Sequence, residues 1–168
     1  MSAALAGRTK REETIEHDGE FEEWVAPHLQ AMGYLAARLA GATDRDDVVQ
    51  EALTRAWRKR SQFDPSRGSP SAWLLAIVAD RARRTWRRRA AGPVGIRTGI
   101  VAGPDGGGVD LERAVAKLPP RMRLAVDCVY FVDLTIADTA AVMGVSEGTV
   151  KSTLSDARAR LRSMLEVS

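Results

Sequence analysis

LTIADTAAVMGVSEGTVKSTLSDARARLRSML, residues 134–165, reads as two helices joined by a tight turn. Thr135 and Asp138 have the spacing of a capping box, in which each side chain satisfies a free amide at a helix start. The short helix they open holds Ile136, Ala140, Ala141 and Met143, and Gly144 ends it by tolerating a left-handed backbone. Ser146 can cap the next helix, where Val150, Leu154, Ala157, Leu161 and Met164 recur at three and four residues as one apolar stripe. Glu147, Thr149, Lys151, Ser152, Thr153, Ser155 and Asp156 fall mostly off that stripe. A helix-turn-helix that reads DNA needs this division, with one face on its own domain and the first turns of the second helix facing base edges and phosphates. A hairpin in a plain bundle core would show the same stripe, so the rest of the chain has to decide.

The chain has 168 residues, enough for one ordinary domain or two small ones. Its apolar content of 45% supports folded helices rather than a disordered chain. A net charge of +3 understates its basicity. Acidic residues gather near the start (Glu12, Glu13, Glu16, Asp18, Glu20, Glu22, Glu23) and arginines gather elsewhere, an asymmetry that suggests a polyanionic partner. Cys128 is the single cysteine, which excludes an internal disulfide and a Cys-rich metal site; its neighbours Val126, Val129 and Tyr130 predict a buried core thiol. Nothing resembles a signal peptide and no apolar run approaches the ~20 residues that span a bilayer, so a cytoplasmic protein without membrane insertion is expected.

Residues 1–19 are polar and without periodicity and read as a mobile tail. From Phe21, the residues Trp24, Val25, Leu29, Met32, Leu35, Ala36 and Leu39 predict one long amphipathic helix that stops at Gly41. His28 lies close to that stripe, and with only His17 besides, packing or surface exposure suits it better than metal binding. A second helix is expected from Thr43 or Asp44 to about Gln62, with Val49, Leu53 and Trp57 on one face backed by Val48, Ala52 and Ala56. Its other face presents Asp47, Gln50, Glu51, Thr54 and Arg58.

FDPSRGSPSAW, residues 63–73, is a loop in which Ser69 before Pro70 signals a helix start. The third helix begins as core (Trp73, Leu74, Ile77, Val78) and ends with Arg81, Arg83, Arg84, Arg87, Arg88 and Arg89 around Trp86. So dense a cationic surface is relieved by phosphates, and an aromatic among the arginines offers a place for an unstacked base. A solvated basic face with Trp86 in the bundle is the plainer alternative.

Residues 91–109, rich in glycine with Pro93 and Pro104, read as a flexible linker. At about 3.3 Å per residue it could reach roughly 65 Å, the length of about 19 base pairs of duplex. Beyond it, Asp110 can cap a helix with Leu111, Ala114, Val115 and Leu118, and Pro119 and Pro120 break it and start another. That helix, residues 121 to about 133, should turn Met122, Ala125, Val126, Val129 and Tyr130 to the core. The expected fold is all-α: a tail (1–19), a first helical domain (20–90), the linker (91–109) and a second helical domain (110–168).

DDVVQEALTRAW (46–57), FDPSRGSPSAWLLAIVADRARRTWRRR (63–89), LPPRMRLAV (118–126), DLT (133–135) and GVSEGTVKSTLSDARARL (144–161) occur in an order that resembles the extracytoplasmic-function sigma factors of the sigma-70 family. The resemblance implies a non-enzymatic initiation factor built from sigma regions 2 and 4, without catalytic residues, metal or cofactor. It further implies that Asp47, Gln50, Glu51 and Arg58 dock on the beta-prime clamp helices of core RNA polymerase, with the beta flap a further contact. Phe63, Ser69 and Asp80 would line or border a pocket for a flipped base of the downstream promoter element, with Arg84, Arg87 and Arg88 on the backbone. Ser146, Thr149, Lys151, Ser152, Ser155 and Arg158 would read the upstream element in the major groove. The linker would thread the polymerase channel, and an anti-sigma factor is an expected partner.

This chain departs from many relatives in having Asp80 in place of Asn, Arg84 in place of an acidic residue, and Thr153 and Asp156 where arginines are common. Promoter sequence therefore does not follow from the resemblance. A stand-alone helix-turn-helix regulator with a sensing or dimerising first domain is the competing reading; it predicts a palindromic site and a dimer. No phosphate-binding glycine loop, metal cluster or nucleophile-base pair supports an enzyme.

Overall fold

The computed structural model describes residues 18–90 and 108–166, which among them form helices and no strand. The expected tail and most of the expected linker, residues 1–17 and 91–107, lie outside the described residues.

The first long helix is divided: α1 spans Asp18–Val25, a 3₁₀ turn Ala26–His28, and α2 Leu29–Ala40. Pro27 sits in the 3₁₀ turn, where its missing amide breaks the α-helical ladder, so the apolar stripe continues across a change of helix type. Gly41 closes α2 at φ 90°. The second helix, α3, is Arg45–Lys59, followed by a 3₁₀ turn Arg60–Gln62. Asp44 stands at its N-cap, and Asp46 and Asp47 lie in its first turn, where the helix dipole favours negative charge. Val48, Ala52 and Ala56 are its most buried residues, while Val49, Leu53 and Trp57 are half-buried, so the two apolar rows exchange their expected depths.

α4, Pro70–Ala90, crosses both α2 and α3. Ser69 caps it: its hydroxyl accepts the Ala72 amide at 3.1 Å. Ala72, Leu74, Leu75, Val78 and Ala79 are fully buried, which fixes the first half of α4 as core and leaves its arginine-rich half projecting.

The second domain comprises α5 (Gly108–Ala116), α6 (Pro120–Val126), α7 (Ile136–Met143) and α8 (Glu147–Glu166). Asp110 lies in the first turn of α5 rather than capping it, because the helix begins two residues earlier. α6 starts at Pro120 as expected and then widens into a π turn, Asp127–Phe131. There the Val132 amide reaches the Asp127 carbonyl at 3.0 Å, five residues back. The wider turn rotates the later side chains, so Tyr130 is 52% exposed instead of entering the core, and Asp127 and Cys128 are fully buried.

Two apolar clusters result. Val115, Leu118, Ala125, Val126, Ala140, Val150, Leu154 and Ala157 form the second domain's own core. The first domain's core is shared, because Leu124, Cys128, Leu134 and Val142 from the second domain belong to it. The two domains are therefore packed together, through α4 against α7 and α2 against the π turn.

Candidate functional site

Thr135 caps α7 by accepting the Asp138 amide at 3.0 Å. The expected return arm of the capping box is diverted: Asp138 Oδ1 accepts the Ser69 hydroxyl of the first domain at 3.0 Å. Gly144 ends α7 at φ 66°, and Ser146 opens α8 by accepting the Thr149 amide at 3.2 Å. The turn thus follows the expected geometry. Of the residues expected to read DNA, Ser146, Lys151, Ser152, Ser155 and Arg158 are exposed and Thr149 is half-buried. Lys151, Ser155 and Arg158 fall at spacings of four and three, which places them on one side of α8. The Ser146 and Thr149 hydroxyls are 2.9 Å apart, and Ser152 donates to the Thr149 carbonyl at 3.0 Å. Thr153 is 8% exposed and belongs to the packed face, so it leaves the recognition surface on which it was expected.

In the first domain, Phe63 is held in a triangle of aromatic edges, 5.3 Å from Trp24 and 5.6 Å from Trp73 between ring centroids, with those two tryptophans 5.9 Å apart. The following turn is set by Asp64, whose Oδ1 accepts the Ser66 amide at 2.9 Å and hydroxyl at 2.7 Å. Both bonds hold the Asp64 carboxyl below its ordinary pKa. Phe63 lines a cavity of about 390 Å³ whose other wall is Ala140, Ala141, Gly144 and Val145 of the second domain. Ser69 borders that wall through Asp138. Asp80 lies three turns along α4, roughly 15 Å further at 1.5 Å per residue, and pairs with Arg84 at 3.2 Å. The structure therefore joins Phe63 and Ser69 at one place and Asp80 with Arg84 at another. Arg84, Arg87 and Arg88 are exposed on the projecting half of α4; the Trp86 and Arg89 side chains lie outside the described ones.

Asp47, Gln50, Glu51 and Arg58 are exposed on α3. Their spacing of three, four and seven residues keeps them on one stripe. Gln50, Glu51, Arg58 and Arg81 line a cleft of about 520 Å³, with Arg81 of α4 ion-paired to Glu51. The cleft has both signs of charge on its walls.

One cluster escapes the sequence reading altogether. Arg38 of α2 donates from Nε to Asp127 Oδ1 at 2.6 Å and from Nη1 to Glu112 at 3.1 Å. Its guanidinium lies 3.9 Å from the centroid of the Phe131 ring. Arg123 donates to the Arg38 carbonyl and stands 3.6 Å from Asp127 Oδ2. Burial raises the Asp127 carboxyl above its ordinary pKa, a shift that Arg38 and Arg123 oppose. Desolvation works against the Arg38 charge, but Asp127 and Glu112 outweigh it and raise its pKa. The signal that could have found this cluster is a single charged residue in each of two apolar runs, YLAARLA and AVDCVYF.

Among the described residues no group of three or more His, Cys, Asp or Glu could hold a metal, and no helix is long and apolar enough to cross a membrane. The comparisons agree with the two-domain layout. The family model for sigma-70 region 2 matches residues 24–92, and that for sigma-70 region 4 matches residues 108–161. The chain is 32% identical over 152 residues to the ECF RNA polymerase sigma factor RpoE of Cereibacter sphaeroides, covering 85% of this chain and 83% of that one. It is 36% identical over 156 residues to SigM of Mycobacterium tuberculosis, covering 86% and 76%. The fold is similar to RpoE bound to the anti-sigma factor NepR from Bartonella quintana, with a TM-score of 0.73, 27% identity, and coverage of 89% and 98%. It is also similar to CnrH bound to the cytosolic domain of CnrY, with a TM-score of 0.70, 28% identity, and coverage of 90% and 91%.

Proposed function

The chain belongs to the extracytoplasmic-function branch of the sigma-70 family and is an RNA polymerase sigma factor; from that premise we propose how its surfaces divide the work. The observation that carries the reading is the placement of three polar faces on separate helices: α3 outward on the first domain, the arginine half of α4, and the first turns of α8.

The α3 stripe of Asp47, Gln50, Glu51 and Arg58 docks on the clamp helices of core polymerase. Phe63 and Ser69 border the place where a base leaves the duplex, with Asp80 further along α4, and Arg84, Arg87 and Arg88 hold the backbone beside it. Opening duplex costs about 1–2 kcal/mol per base-pair step, so contacts to the exposed strand have to compensate. A rigid aromatic and a fixed loop do this at low entropic cost, since Phe63 is already positioned by Trp24 and Trp73. Ser146, Thr149, Lys151, Ser152, Ser155 and Arg158 read the upstream element from α8. On this reading the units are residues 20–90 and 110–168, joined by a linker that passes through the polymerase. The protein works where polymerase works, in the cytoplasm, and is not itself an enzyme. One similar solved structure holds the anti-sigma factor NepR, and another holds the cytosolic domain of CnrY; the first supports an anti-sigma partner here.

The stand-alone regulator is not favoured, because both halves match sigma regions rather than the helix-turn-helix alone. Run-off transcription with core polymerase over a promoter library tests the proposal. Promoter-dependent transcripts are expected; failure to bind core polymerase at all would sink it.

A further inference from the structure

A cavity of about 490 Å³ is lined by α2 and α4 on one side and by α5, α6 and the α7–α8 turn on the other, a size within the roughly 300–1,000 Å³ of small-ligand sites. Ala79, Ala82, Leu118 and Leu124 line it and are all buried, so its floor is apolar. Arg83 and Arg121, both exposed, stand at its edge, and Arg123 lies deeper. No carboxylate is among the lining residues, in contrast to the clefts beside Glu51 and Asp64. The three arginines are not equivalent. Arg123 stands 3.6 Å from Asp127 Oδ2 and donates to the Arg38 carbonyl, so its charge is met within the protein. Arg83 donates from Nε to the Ala79 carbonyl at 3.3 Å, and among the described residues neither it nor Arg121 has an acidic partner. The cavity therefore joins an apolar floor to two cations in excess.

We infer that this cavity is a binding site for a small amphipathic carboxylate, whose apolar chain lies on the buried floor and whose head meets the arginine edge. Each half of that ligand answers one feature of the lining. Water over Ala79, Ala82, Leu118 and Leu124 finds few polar partners, and an apolar group displaces such water with a gain. A guanidinium pairs with a carboxylate through parallel hydrogen bonds, and the bonds strengthen beside an apolar surface that keeps water away. An uncharged ligand would use the floor and leave Arg83 and Arg121 without partners, and a cation would be repelled by them. An inorganic anion would use the edge alone and leave the floor wet. A singly charged head also costs less to desolvate than a dianion, which favours a carboxylate over a phosphate monoester.

Titration calorimetry of the full chain with decanoate, kept below the concentration at which it forms micelles, tests the site. One saturable site per chain is expected. 1-Decanol, decyltrimethylammonium and inorganic phosphate, each lacking one half of the ligand, should bind roughly tenfold or more weakly. Arg83→Gln with Arg121→Gln removes both cations from exposed positions. It should weaken decanoate roughly tenfold and leave decanol unchanged. Ala116→Phe fills the cavity from a half-buried position at the end of α5 and should abolish decanoate binding at unchanged helix content. If that variant loses helix, the arginine pair decides. Absence of saturable decanoate binding would overturn the site, as would decanol binding as tightly as decanoate. Decanoate binding that neither the arginine pair nor a folded Ala116→Phe protein alters would place the ligand elsewhere and overturn it too.

Discussion

Thr153 donates its hydroxyl to the Thr149 carbonyl at 2.7 Å, one turn back along α8. That bond satisfies the only polar group of a side chain packed into the second domain's interior. The position is therefore internal, whereas Asp156, three residues on, is exposed beside Ser152 and Ser155.

These two positions should respond oppositely to arginine. Asp156→Arg adds a cation on the exposed side of α8 proposed to meet DNA, and we expect tighter binding of promoter DNA by holoenzyme, with the salt slope steeper by about one. Thr153→Arg instead forces a charge against Val150 and Leu154 and should destabilise the protein by roughly 2 kcal/mol or more without strengthening DNA binding. Urea titration and salt-dependent binding together separate the two. A Thr153→Arg protein of native stability would show that α8 packs differently.

Gly144 provides a test of the turn itself. Its φ of 66° is left-handed, and a Cβ there would meet nothing within 4 Å. The whole effect of Gly144→Ala is then backbone strain, about 1–2 kcal/mol, while Gly144→Asn should lose less because asparagine tolerates this region. Chemical denaturation reads both. Equal losses for the two would point to a steric cause that the geometry does not contain.

Most of this architecture is legible in local patterns. Ser69 before Pro70, Thr135, Gly144 and Ser146 each specify a helix boundary through chemistry confined to three or four residues, and each stands where expected. What local pattern does not reach is the contact between domains. Asp138 looks like half of a capping box until Ser69 takes its carboxylate. Asp127 and Arg38 look like interruptions of apolar stripes because their partners are remote in sequence. Tyr130 misleads for another reason: a 3.6-residue period places it inward, and the π turn changes the period. At the site, the faces of α3 and α8 were readable from their spacing, whereas separation of Asp80 from Phe63 depends on how far α4 carries it.

Arg87 and Arg88 are exposed near the end of α4. Their double substitution to alanine should lower the salt sensitivity of promoter-complex formation, by about one to two in slope, while leaving affinity for core polymerase intact. A slope identical to that of the unaltered protein would exclude phosphate contacts at both positions. Lys151→Ala supplies the counterpart on the second domain and should impair use of the upstream element more than core binding.

His28 makes a small pH-dependent contribution of predictable sign. Partial burial lowers its pKa from the ordinary value of 6.5, with the Trp24 ring 6.4 Å away edge to face. The folded protein therefore binds fewer protons at His28 than the unfolded chain does. Its contribution is present above the ordinary value and is lost as pH falls through the lowered one. Stability should decline between pH 7 and pH 5 slightly more in the native protein than in His28→Gln. Identical pH profiles in urea denaturation would show that His28 is solvated in the folded state.

Phe63 and Trp73 separate stability from function within a single aromatic cluster. Trp73 joins Trp24 and Phe63 and packs against the first domain's core, so Trp73→Ala should destabilise that domain by about 3 kcal/mol and weaken every activity in proportion. Phe63 lies at the mouth of the cavity, half-buried and outside the fully buried core. Phe63→Leu retains apolar packing but removes the ring on which an extruded base could stack, a contact worth about 1–3 kcal/mol. The expected result is near-native stability and core-polymerase affinity with a deficit confined to promoter opening, read by reactivity of unpaired thymines. A premelted promoter bubble should restore most of the lost transcription, because the energy of strand separation no longer has to come from the protein. If Phe63→Leu instead lowers core binding and opening equally, the ring serves the fold of the loop rather than the strand it receives.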